Sequence, residues 1–227
     1  MVPSMANAAW IIARKDLTIE LRTRTAFVSA VVFSMLGLAI FYFAWSPTAV
    51  AAADLAPGVV WVIFTLSGIL AVQRSFSIEQ PERAGDGLLV SPIGREAIYL
   101  GKATANVIFI GAVQLITIPV ATLFYNLPFG RTVPLMLGIA ALATVGLVAV
   151  GTLFASMAVN TRMAELLLPL LSLPFLLPVV MAAGQSTERW IAGRPLSESL
   201  VWLKMLVAFD LVFVVACTLA FPYTLEE

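Results

Sequence analysis

Apolar runs of about 20 residues alternate with short polar breaks along most of this chain. A helix rises 1.5 Å per residue, so a run of about 20 is long enough to cross a hydrocarbon core of about 30 Å. The pattern predicts six membrane spans, at 26–45, 57–73, 103–125, 134–158, 166–183 and 200–221. Tyr42 and Trp45 at the end of the first run suit a membrane interface. The third run carries Pro119, a predicted kink. The fourth carries Gly138, Gly146 and Gly151 among Ala and Thr, small residues that allow close helix approach. The fifth holds Pro169, Pro174 and Pro178, which predict a bent or broken helix. The outer loop from Gly184 to Ser199 is expected to hold a short interfacial helix around Trp190.

Two stretches depart from this pattern. Residues 5–24 mix apolar and charged positions. Trp10, Ala13, Leu17 and Leu21 share one helical face, while Ile12 and Ile19 fall on the other side. With Arg14, Lys15, Arg22 and Arg24 nearby, this predicts a helix lying along the inner leaflet. A cytoplasmic extension of the first span is the other reading. The second stretch is a polar island, Arg74 to Lys102, between the second and third spans. Pro81 suits the first turn of a short helix, Gly85 and Gly87 bracket Asp86, and Leu88, Leu89 and Val90 form an apolar tip. Physics alone divides it evenly between a coupling element for a cytoplasmic partner and a loop dipping into the interface.

Composition supports the membrane assignment. The chain is 61% hydrophobic and 11% charged, against about 25% charged in soluble domains. Charge then sets the orientation. Nine Lys/Arg lie in the N-terminal segment, the island and the turn at Arg162, and four (Arg131, Arg189, Arg194 and Lys204) lie toward the other side. The positive-inside rule places both termini and the island in the cytoplasm. The first apolar run starts after residue 25 and is longer than a signal h-region, so a cleavable signal is not expected. Halves 1–3 and 4–6 show no internal repeat, which weighs against an inverted-repeat transporter.

Candidate chemistry is sparse. There are 13 Lys/Arg, 13 Asp/Glu and no histidine. The commonest metal ligand and general base are missing, so neither a metal site nor a catalytic triad is expected, and the chain reads as a non-enzyme. The zero net charge and absence of a basic run exclude a nucleic-acid partner. Cys217, the one cysteine, reads as packing. Asp210 sits near the middle of the sixth run, where an acid is a functional candidate by default. Asn106 and Gln114 in the third run are polar candidates and possible neighbours for it. No GxxxxGK[ST] run occurs, so any ATP must be handled by another chain.

Several stretches together resemble one family: KDLTIELRTR at 15–24, APGVVWVIFTLSGILAVQRSF at 56–76, the run from Glu79 to Lys102, LLLPLLSLPFLLPVV at 166–180 and the closing FPYTLEE. In order and spacing these resemble the heme exporter protein B (CcmB) family, permeases of cytochrome c maturation. The resemblance implies a six-helix, ABC-2 type permease forming a single transmembrane domain over 1–227. It implies an N-terminal interfacial helix and a cytoplasmic coupling helix between spans 2 and 3. Glu79, Glu82, Arg83, Asp86, Gly87, Leu88 and Leu89 would then contact a partner ATPase (CcmA). Membrane subunits CcmC and CcmD and the periplasmic heme chaperone CcmE would be further partners. ATP would act through the partner subunit, and heme would be the possible substrate. The implied location is the bacterial inner membrane. An ABC-2 permease for a lipid, drug or polysaccharide, and a non-transporting scaffold, are the alternatives.

Overall fold

A computed structural model describes residues 4–44, 51–77, 93–158 and 163–225. Among the described residues every regular element is helical. They are α1 (Met5–Thr23), α2 (Thr25–Ala44), α3 (Ala52–Ser77), α4 (Arg95–Phe124), α5 (Phe129–Ala158), α6 (Ala164–Ile191) and α7 (Leu196–Ala220), closed by a 3-10 turn, Phe221–Leu225. Helices α2 to α7 are each long and apolar enough to cross a membrane. The chain is an all-α polytopic membrane protein.

Helix α1 starts at an N-cap, where the Ser4 hydroxyl accepts the Asn7 N–H at 3.4 Å. It ends at Arg24, the single residue separating it from α2. Arg24 adopts φ 54°, and its N–H donates to the Glu20 carbonyl at 2.9 Å. That left-handed step turns the chain sharply from α1 into the first span.

The spanning helices sort by how much of their surface they bury. The central pair is α3 and α5, with Val60, Trp61, Phe64 and Val72 of the one and Met136, Ile139, Leu147 and Val150 of the other in the core. The edges are α2 and α7. Only Ala26, Ser34 and Leu38 of α2 are buried, and only Ser199, Leu206, Asp210 and Cys217 of α7. Many of their large side chains, Phe41 and Phe43 or Val201 and Leu211 among them, are exposed. Inside a bilayer there is no reward for hiding such groups from lipid, so small and polar residues turn inward.

Three expectations are corrected. The polar island is shorter than the sequence suggested: Arg95 to Lys102 form the first two turns of α4, and Tyr99, Gly101 and Lys102 are buried. Gly94 ends the break, and the buried Lys102 finds an acid and an aromatic ring, described below. Helix α6 runs unbroken through its three prolines to Ile191. Its buried residues Leu168, Ser172, Leu176, Val179 and Ala183 keep a helical register, while Pro174 is exposed and Pro169 and Pro178 are half-buried, off that face. Trp190 accordingly lies in the last turn of α6 and not in a separate interfacial helix; its indole N–H donates to the Arg131 carbonyl at 3.2 Å.

Helix α1 packs on the bundle by a face that overlaps the expected apolar face only at Ala13. Ala8, Ile12 and Ala13 are buried, whereas Trp10 and Leu21 are exposed, at 57% and 73%. Close approach decides this. A Cβ placed on Gly101 would lie 2.7 Å from Ile12 Cβ and 2.8 Å from the Ala9 carbonyl oxygen. Glycine at 101 therefore lets α1 lie backbone-close on α4.

Candidate functional site

The end of the bundle that carries α1 gathers a set of polar contacts among the described residues. Asp16 of α1 faces Lys102 of α4, with Nζ to Oδ2 at 3.6 Å, and also Lys15, at 3.2 Å. Lys102 is 3% exposed, and its ammonium lies 4.7 Å from the centre of the Phe76 ring at the end of α3. An ammonium so deeply buried needs such partners, because desolvation penalises an unpaired charge. One side chain thus ties α1, α3 and α4 together. Arg74 of α3 donates to the Thr25 hydroxyl at the start of α2, at 3.4 Å.

The start of α4 is clamped a second time. Arg95 donates to the Pro222 carbonyl at 3.0 Å, and the Tyr99 hydroxyl donates to the Ala149 carbonyl of α5, also at 3.0 Å. Tyr99, Ile98, Ile12, Cys217 and Phe221 form a small apolar cluster around that clamp. Ser156 and Thr224 share a hydrogen bond at 3.0 Å, joining α5 to the closing turn. Residues 74–77 and 93–102, which flank the polar island, are therefore both braced by the rest of the bundle. Glu79, Glu82, Arg83, Asp86, Gly87, Leu88 and Leu89, expected to meet a partner, lie outside the described residues, as does Arg162.

The three intramembrane polar candidates are all buried, but the structure does not bring them together. Gln114 accepts a hydrogen bond from the Thr144 hydroxyl at 3.0 Å, joining α4 to α5. Asp210 lies on the one inward stripe of α7, against Gly146 of α5. A Cβ on Gly146 would come within 2.7 Å of Asp210 Oδ1 and 2.9 Å of the Phe209 ring. That carboxylate oxygen is buried with no hydrogen-bond partner among the described residues. The expected support of Asp210 by Asn106 or Gln114 is corrected: the partner surface is a glycine backbone.

Asn106 belongs to another feature. It lines a cavity of about 790 Å³ between α1, α2, α3 and α4. Asp16, Glu20, Gln73 and Arg74 supply its polar wall, and Ala30, Phe33, Leu70 and Phe109 its apolar wall. The Asn106 amide nitrogen is buried without a hydrogen-bond partner among the described residues.

Sequence reasoning missed the buried Lys102 and Tyr99 and the partly buried Asp16 that faces Lys102. The adjacent Gly101–Lys102 pair was the available signal: a small residue beside a charge, in what proved to be a helix. It also missed the opposite end, where the Trp61 indole N–H donates to the Thr187 hydroxyl at 2.9 Å. There the Arg131 guanidinium lies 4.6 Å from the Trp190 ring and that of Arg189 lies 5.2 Å from the Trp202 ring.

Known proteins are similar to this sequence. Heme exporter protein B of Pseudomonas aeruginosa is 27% identical over 207 residues, covering 91% of this chain and 92% of that protein. Heme exporter protein B of Paracoccus denitrificans is 29% identical over 189 residues, or 83% and 86% of the two chains. That of Rhodobacter capsulatus is 27% identical over 198 residues, 86% and 88%. The CcmB protein family matches from residue 7 to residue 227, all six apolar helices included, and the chain belongs to that family.

Proposed function

We propose that this chain is the membrane permease subunit of a heme-exporting ABC complex in cytochrome c biogenesis. The observation that carries this reading is the family match from residue 7 to residue 227, with relatives named heme exporter protein B. The six long apolar helices support it, since a permease must supply the membrane path. Within the reading, all 227 residues form one permease domain in the bacterial inner membrane, with both termini cytoplasmic. The chain is not itself an enzyme. ATP is hydrolysed by a partner ATPase (CcmA), and the cycle drives heme export or release of the heme chaperone CcmE. CcmC and CcmD complete the membrane assembly. The absence of histidine from the sequence fits a role in coupling, with histidine ligation of heme supplied by another subunit.

The polar island is the point where the ATPase engages. Glu79, Glu82, Arg83, Asp86 and the apolar Leu88–Leu89 tip make the contact, and Gly87 lets the tip turn. The braces on either side support this assignment. A push on the island reaches α3 at Phe76 and α4 at Arg95 and Lys102, and Asp16 carries it to α1. Asp210, against Gly146, and the proline-bearing α6 are where the bundle is arranged to change shape along the substrate path.

Affinity purification of the tagged full chain tests the coupling claim. The unaltered chain is expected to retain an ATPase subunit. Reversal of both acids (Glu82→Lys with Asp86→Lys) is expected to lose the ATPase while the chain remains in the membrane at normal levels. Retention of the ATPase by the reversed chain would remove the island from the contact.

A further inference from the structure

The cavity beside α1 has a wall chemistry that the coupling role leaves unused. Its polar wall holds two carboxylates, Asp16 and Glu20, and one guanidinium, Arg74. Asp16 is committed to Lys15 and Lys102. Glu20 is different. Its Oε1 is buried and accepts no hydrogen bond among the described residues. Asn106 supplies the complementary vacancy. It is 4% exposed, it lines the same cavity, and its amide N–H groups have no acceptor among the described residues. A buried acceptor and a buried donor left unmatched on one cavity wall are each costly, and a ligand can satisfy both at once.

The apolar side says which kind of ligand. Phe33, Leu70 and Leu166 line the cavity and are each more than a third exposed. The space is therefore open along this apolar wall, between helices long and apolar enough to cross a membrane. It is also large enough for a polar head with part of an attached chain.

We infer that this cavity binds one phospholipid with a primary ammonium in its headgroup, of the phosphatidylethanolamine type. The ammonium donates to Glu20. The phosphate takes the Asn106 amide N–H and the Arg74 guanidinium. An acyl chain runs out past Phe33 and Leu70. A phosphatidylglycerol headgroup offers Glu20 only a neutral hydroxyl in place of an ammonium. A choline headgroup fits poorly for another reason: its quaternary nitrogen has no N–H to give Glu20.

Native mass spectrometry of the full chain in detergent tests this. The probes are phosphatidylethanolamine, phosphatidylcholine and phosphatidylglycerol of matched acyl chains, together with water-soluble phosphoethanolamine. Phosphatidylethanolamine is expected to be retained about tenfold better than phosphatidylcholine, the value of one charge-assisted hydrogen bond, and better than phosphatidylglycerol. E20Q is expected to erase the preference for ethanolamine over choline. N106L is expected to lower retention of the lipid without lowering the unfolding temperature of the lipid-stripped chain, because it removes an unmatched polar group. Equal retention of the three lipids, or a preference that survives E20Q, overturns the site. A lower unfolding temperature for N106L with lipid retention unchanged makes Asn106 structural and also overturns it. Phosphoethanolamine binding as tightly as the lipid overturns the acyl part.

Discussion

Single residues set the distances at which these helices meet, and Gly101 is the sharpest case. An added Cβ there meets Ile12 Cβ at 2.7 Å and a backbone oxygen at 2.8 Å, and a backbone cannot swing aside. Gly101→Ala is expected to cost about 1–3 kcal/mol by overpacking. Gly138→Ala is the matched control, since nothing lies within 4 Å of its Cβ position. It is expected to be neutral or stabilising by about 0.5–1 kcal/mol. Unfolding in mixed micelles, with proteolysis of the N-terminal segment as a second readout, separates the two. Equal losses for both would mean that α1 does not pack at Gly101. Lys102 is a second case. Lys102→Met leaves Asp16 partly buried without its cross-helix cation, at a cost of about 3 kcal/mol. Replacing Asp16 by Leu in the same chain is expected to recover most of that loss, and a double-mutant cycle measures it. Additive losses would show that the two charges do not act as a pair.

At the scale of elements, the helices were legible because about 20 consecutive apolar residues admit few other structures in a membrane. Their faces were less legible. Trp10, Ala13, Leu17 and Leu21 marked the apolar face of α1, but the face that meets α4 was not legible: the structure buries Ala8, Ile12 and Ala13, because close contact with α4 is decided by the small residue at 101. Lys102 read as solvent-facing because its partners, Asp16 and Phe76, lie far away in sequence and only the fold brings them near. The prolines of α6 read as breaks because propensity was learned in water, where freed carbonyls and ring clashes are costly. Here Pro174 is turned outward and the buried stripe of α6 passes it in register. Pro174→Ala is therefore expected to leave the unfolding midpoint unchanged or raise it, as the missing N–H is restored. A clear drop would show that the ring itself packs. Tyr99→Phe is expected to cost about 1–2 kcal/mol, the loss of a buried hydrogen bond to Ala149 that joins α4 to α5.

For the whole molecule, the arrangement is a frame around an interruption. Central α3 and α5 carry the core, α2 and α7 form edges with broad outward apolar faces, and α1 lies across α4. The α3 end of the polar island is fastened to α2 through Arg74, the α4 end to the closing turn, α5 and α1 through Arg95, Tyr99 and Lys102, and the Lys102 ammonium over Phe76 joins the two ends. That joint suits a device in which a push at the island moves α3 and α4 together. The site residues on the island itself were named from the family resemblance and from charge, and the fold explains only what they would push on. Asp210 was legible as an unusual acid, but its position against Gly146 was not, because a glycine leaves no polar signature in the sequence. The central claim is that this permease serves heme delivery to c-type cytochromes. The most direct measurement is heme-stained c-type cytochrome in cells lacking this chain, with and without the chain restored from a plasmid. The account expects holocytochrome c to vanish on deletion and return on restoration, while the apocytochrome is still made and exported. Normal holocytochrome c in the deleted cells would contradict it.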